Sequence, residues 1–226
     1  MTMGPALLIA HGGPGDAFHD RAFEQLGKRA PRVAYVGAAN RDQAAWYLRV
    51  SDTLRTRHGA RVELARTMVD NPAPARGALE DADLIYLAGG DVQLLATRMR
   101  VLGLDAVLRS CHAAGAMLLG ISAGAVALGP SWIAFPDDYA GGEDDRVRRF
   151  PCVGAFPFAI DCHDEDGDWE ELRALLARWA LDDPKAAVEA YGIPHGGALE
   201  VDARGKLNVL GTPPKRLRLD HGQILE

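Results

Sequence analysis

Five short apolar runs, Ala6 to Ala10, Arg32 to Gly37, Arg61 to Leu64, Leu84 to Ala88 and Met117 to Ile121, alternate with segments whose apolar residues recur at helical spacing. Asp16 to Lys28, Asp42 to His58, Val92 to Leu102 and Asp105 to Ala114 are those helical segments. A helix between two strands returns the chain to run in the same direction, so repeated βαβ units predict a mainly parallel sheet covered on both faces. The expected fold class is therefore α/β, in three α/β/α layers. Beyond Pro130 a polar loop is expected through Arg149. A strand follows at Ala155 to Ile160, then a helix from Trp169 to Leu181 and strands near Ala187 to Ile193, Ala198 to Val201 and Leu207 to Leu210. Pro151, Pro157, Pro194 and the pair Pro213-Pro214 read as turn punctuation rather than linkers. With no repeat and no linker, residues 1–226 are expected to form a single domain.

Gly120-Ile121-Ser122-Ala123-Gly124 directly follows the apolar segment Ala116 to Leu119. A Gly-x-Ser-x-Gly run at a strand end is what a strand–nucleophile–helix turn requires, with flanking glycines permitting tight reversal and the next N–H groups facing a developing oxyanion. Open α/β sheets hold their ligands at this carboxyl edge. Ser122 is the candidate nucleophile.

Composition narrows the partners. The chain is 48% hydrophobic and 25% charged, and it contains no apolar run long enough to span a bilayer. Its net charge of -6 disfavours nucleic acid. The start, Met1 to Pro5, lacks the basic region and apolar core of a signal peptide, so a cytoplasmic location is expected. Cys111, Cys152 and Cys162 are odd in number and lack zinc-site spacing, and they read as buried or free thiols. No metal or organic cofactor is expected. The acidic clusters Glu143-Asp144-Asp145 and Asp161 to Glu171 are candidate rims of the site.

Two family resemblances compete for the serine. His11-Gly12-Gly13-Pro14-Gly15 resembles the oxyanion-hole loop of α/β-hydrolases such as proline iminopeptidases, which would imply an α/β-hydrolase-type aminopeptidase. Three βα units between this loop and Ser122 are too many for that fold. The second resemblance spans nearly the whole chain. Leu84 to Leu95, with Gly89-Gly90-Asp91-Val92-Gln93-Leu94-Leu95, then Gly120 to Ala125, then Phe156 to His163 resemble the peptidase E and cyanophycinase family of serine peptidases. That family shares a flavodoxin-like, class I glutamine amidotransferase-like fold. The resemblance implies Ser122 as nucleophile, His163 as general base, and the N–H groups of Gly90 and Ala123 as oxyanion donors. Amidotransfer is not expected, because glutaminases of that fold carry a cysteine in the elbow, where Ser122 stands here, and none of the three cysteines is expected near it.

The third member departs from the family. Its acidic partner belongs to a Gly-Leu-Pro-Glu-Gly-like turn, which reads here Gly192-Ile193-Pro194-His195-Gly196. His195 in place of glutamate can accept the His163 N–H but stabilises an imidazolium less than a carboxylate would. Asp137, on the loop after the elbow, is the alternative. Loss of catalysis, leaving a ligand-binding or regulatory member of the fold, is a third outcome. The segment Asp164-Glu165-Asp166-Gly167-Asp168 stands where aspartyl dipeptidases would be expected to carry a substrate-contacting arginine, and no arginine is expected near the site, so strong Asp-X specificity is not expected. Asp168 also reads as a cap for the following helix. The expected partner is a small peptide substrate, with no nucleic acid or membrane, on a monomer or homodimer. His19, His58, His112 and His221 are assigned surface or packing roles.

Overall fold

The computed structural model describes residues 3–13, 15–134 and 147–226. Strands β1 (Ala6–Ile9), β2 (Arg32–Val36), β3 (Arg61–Ala65), β4 (Leu84–Leu87) and β5 (Met117–Ile121) fall within about a residue of the expected runs. Between them lie α1 (Ala17–Leu26), α2 (Ala44–His58), α3 (Ala73–Glu80), α4 (Val92–Val101) and α5 (Leu104–Ala113). The short α6 (Ala123–Val126) follows Ser122. Then come β6 (Ser131–Ala134), β7 (Arg148–Pro151), β8 (Ala159–Cys162), α7 (Glu170–Asp182), β9 (Ala187–Ile193), β10 (Gly197–Val201), β11 (Leu207–Gly211), β12 (Lys215–Asp220) and β13 (Gln223–Leu225).

The main sheet has the order β11-β10-β1-β5-β4-β2-β3. Its pairings from β1 to β3 are all parallel, and β10 and β11 add an antiparallel edge. Alternation along each strand divides the core. Leu7, Ile9, Tyr35, Tyr86 and Leu119 face α1 and α2, whereas Leu8, Val36, Leu87 and Leu118 face the layer holding α4 and α5. This is the three-layer α/β arrangement. A second sheet, β13-β12-β9-β8, packs with α7 onto the latter side through Ile160, Ala190, Leu217 and Leu219.

Several expected boundaries are corrected. The polar stretch after Pro130 contains an antiparallel pair, β6 with β7, in which Trp132 opposite Phe150 supplies the apolar surface. Residues 135–146, including Asp137 and Glu143-Asp144-Asp145, lie outside the described residues. The strand expected at Ala155 to Ile160 is shifted to Ala159–Cys162, because Pro157 cannot donate to a ladder and the segment before Phe158 stays irregular. Beyond the last expected strand, the Leu217 and Leu219 side chains, alternating with charged residues, build β12. Asp168 does not cap α7. Residues 168 and 169 both take positive φ, and Asp168 instead pairs with Arg173.

Candidate active site

Strand register brings the singled-out residues to one edge. β5 lies between β1 and β4, with Ile121 opposite Ile9 and Gly120 opposite Leu87. The loops after β1 and β4 therefore flank Ser122. In the second sheet Cys162 lies opposite Ile193, and the His163 N–H donates to the Ile193 carbonyl at 2.9 Å. His163 and His195 thus leave their strands together.

Ser122 occupies φ 50°, ψ -119°, an unfavourable conformation for a residue with a Cβ, and its N–H donates to the Ile9 carbonyl at 2.8 Å. The strain falls on the serine itself. The second glycine of the elbow is needed for proximity rather than for its dihedral freedom, since a Cβ on Gly124 would overlap the Leu87 carbonyl. Gly90 does use positive φ, at 140°, and a side chain there would overlap the Ala39 carbonyl. Asp91 next to it caps α4, its carboxylate accepting the Leu94 N–H at 2.9 Å. Neither the Gly90 nor the Ala123 N–H donates to a backbone carbonyl among the described residues.

Ser122 Oγ lies 2.8 Å from His163 Nε2. A hydroxyl donating to Nε2 leaves the neutral ring's proton on Nδ1, and no acceptor for that proton is found among the described residues. The His195 ring is its neighbour, with centroids 5.6 Å apart and planes tilted by 45°. The other ring neighbour of His195 among the described residues is His11, at 5.3 Å between centroids. His195 itself donates from Nδ1 to Glu165 Oε1 at 2.6 Å, and its backbone N–H reaches the same oxygen at 3.0 Å. The sequence carried no signal for Glu165, which reads there as one acid in a solvated run.

Beside Ser122 opens a cavity of about 500 Å³. His11, Tyr35, Asn40, Trp46, Arg49 and Tyr86 line it, and no carboxylate does among the described residues. The glycine-rich loop after β1 is a wall of this cavity. Arg49 corrects the expectation that no arginine stands near the serine. Its guanidinium lies over the Trp46 ring, 5.9 Å from the centroid, because α2 directs one face toward the elbow.

Cys162 is a second correction. Distant in sequence, it sits against the elbow with Sγ 3.8 Å from the Ser122 carbonyl oxygen. Burial holds its thiol well above the usual range, and the Asp161 charge adds to this, so it is a poor nucleophile. The four histidines assigned packing or surface roles hold such places. His19 is fully buried against Asp16 and Tyr86, His58 stacks on Phe23, His112 bonds the Ala116 carbonyl, and His221 is exposed beside Asp220.

Asp161, two residues before His163, is 4% exposed, and its Oδ2 has no hydrogen-bond partner among the described residues. Burial pushes its carboxyl up to about 7, helped by Asp164 and Glu171 and opposed by the Cys162 N–H. The native state therefore keeps a proton that the unfolded chain releases near pH 4. The contribution of Asp161 to stability therefore falls as pH rises from about 4 to 7, and its full cost stands above 7. Asp161→Asn is expected to raise unfolding stability by about 3 kcal/mol at pH 8 and by little at pH 4, read by denaturant titration at both values.

The peptidase family S51 model matches residues 7–208. Among solved structures, a peptidase from an acI-B1 actinobacterium superposes with a TM-score of 0.73 at 17% identity, covering 99% of this chain and 97% of that one. A putative peptidase E protein from Listeria monocytogenes EGD-e superposes with a TM-score of 0.65 at 16% identity, covering 93% of this chain and 99% of that one. No curated protein matches. These likenesses establish the fold, and a family match over most of the chain decides against the α/β-hydrolase reading: the chain belongs to peptidase family S51.

Proposed function

We propose that the chain is a serine peptidase or amidohydrolase acting on small peptides, with Ser122 as nucleophile and His163 as general base and acid. The observation that carries this reading is the 2.8 Å pair between Ser122 Oγ and His163 Nε2 at a strained turn. Attack by Oγ on a peptide carbonyl passes the hydroxyl proton to Nε2, and the imidazolium then returns it to the leaving amine. Water repeats the sequence on the acyl-enzyme. Charge on the tetrahedral oxygen would meet the N–H groups of Gly90 and Ala123, each removable at a cost of roughly 3 kcal/mol. His195 is the proposed orienting group, Asp137 remaining the alternative. Among the described residues no helix is long and apolar enough to cross a membrane. The described cysteines are free, which suits a reducing compartment such as the cytoplasm.

The cavity and the acidic stretch after His163 flank the serine differently, one lined by aromatic rings and the other by carboxylates. An acidic substrate residue gains nothing from Asp164 to Asp168, and Arg49 is exposed to water. Asp-X dipeptides are therefore expected to show kcat/KM no higher than dipeptides with neutral or basic first residues. A dipeptide panel assayed with Arg49→Met as control tests this. An Asp-X preference of tenfold or more that vanishes in Arg49→Met would overturn it and assign Arg49 to substrate recognition.

A further inference from the structure

The structure assigns Glu165 as the positioning acid of the site, acting on His163 through His195. The proposal rests on the serine-peptidase reading above. His195 lies in the exposed turn between β9 and β10, and its side chain is 58% exposed, so packing alone does not hold it. What holds it is a single carboxylate oxygen that accepts both its ring Nδ1–H, at 2.6 Å, and its backbone N–H, at 3.0 Å. An ionised carboxylate can only accept, so Nδ1 of His195 carries the proton and Nε2 of the neutral ring is bare. A bare Nε2 is the acceptor that the unpartnered Nδ1–H of His163 requires, and the two rings lie 5.6 Å apart between centroids. Hydrogen bonds of this type are often long in an empty site and tighten around the reacting substrate. The arrangement runs Ser122, His163, His195, Glu165, with the acid one residue further out than a three-membered relay would have it.

Charge supports the assignment. Burial works against ionisation of Glu165, but the N–H donors of His195 outweigh it and keep the carboxyl below its usual range. Glu165 is thus anionic at neutral pH. The other titratable groups around the pair are His11 against His195, Ser122 against His163, and Asp161 and Asp164 beside His163 in sequence. None of these bonds the ring of His195. The hydrogen bond and the charge can be separated, because Gln at 165 retains an oxygen acceptor for both N–H groups and removes only the charge.

The test follows the rate of Ser122 modification by a fluorophosphonate as a function of pH, in Glu165→Gln, His195→Ala and the double variant. Glu165→Gln is expected to slow modification at pH 7 by roughly three- to tenfold and to lower the acidic-limb midpoint by roughly half a unit, since a lost anion makes His163 less basic. In the His195→Ala background the same change is expected to cost nothing further. An unaltered rate and midpoint in Glu165→Gln overturns the proposal, as does a loss that persists undiminished without His195. NMR titration of the His163 ring in the parent and the same three variants reads the coupling without any reaction. Should the parent fail to react with the probe, the peptidase reading fails, whereas the positioning of His163 by Glu165 stands or falls on whether that midpoint moves only when His195 is present.

Discussion

Ser122→Ala is expected to reduce peptide hydrolysis by at least ~10³-fold while leaving the thermal midpoint nearly unchanged. Its hydroxyl projects from the elbow and makes one hydrogen bond, to His163, so truncation opens no cavity in the core. Alanine inherits the same strained backbone. Ser122→Gly removes that strain and is expected to stabilise the fold by roughly 1 kcal/mol, with the same loss of activity, because positive φ with this ψ carries a penalty for any Cβ. A glycine variant that is both inactive and more stable would show that the backbone at this turn is held against its own preference. A glycine variant less stable than the parent would mean that the backbone at this position is relaxed and that the elbow stores no strain.

His163→Ala is expected to lower turnover by ~10³-fold or more, because a serine hydroxyl at neutral pH is a weak nucleophile without a base beside it. His163 is exposed at the end of β8, so its removal should leave folding intact. The double variant Ser122→Ala/His163→Ala is expected to be no slower than either single one, since two members of one relay do not contribute separately. Steady-state kinetics on a dipeptide cleaved by the parent decides this. Losses that multiply would place the two residues in independent roles.

The first half of the fold was legible because each βα unit repeats one strong signal: a short apolar run, then apolar residues at helical spacing. The exception is α3. Pro72 and Pro74 beside Gly77 look like a turn, yet proline is tolerated in a first helical turn, and the Asn71 side chain accepts the Ala73 N–H there. The second half was less legible for two reasons. β12 carries its pattern openly, with Leu217 and Leu219 buried between charged residues, but the run is short and the Pro213-Pro214 pair before it signals only a turn. The start of β8 is set by its pairing with β9, a contact that no local propensity encodes.

The site divides in the same way. Ser122, Gly90, Ala123, His163 and His195 belong to local motifs at turns, and the register of three parallel strand pairs brings them to one edge. Glu165, Arg49 and Cys162 were not singled out because their importance depends on proximity alone. Glu165 lies thirty positions from the ring it holds, Arg49 reaches the cavity from the surface of a helix, and Cys162 meets the elbow from another sheet. Charge and hydropathy describe each correctly as a side chain and say nothing of which neighbour it finds.

The most direct test of the account is stoichiometric reaction with a fluorophosphonate at pH 8, followed by peptide mapping. The expected result is one adduct per chain, carried by Ser122, absent from Ser122→Ala and reduced by at least ~10²-fold in rate in His163→Ala. An unmodified parent, or an adduct on any residue other than Ser122, would contradict the claim that this elbow holds an activated serine.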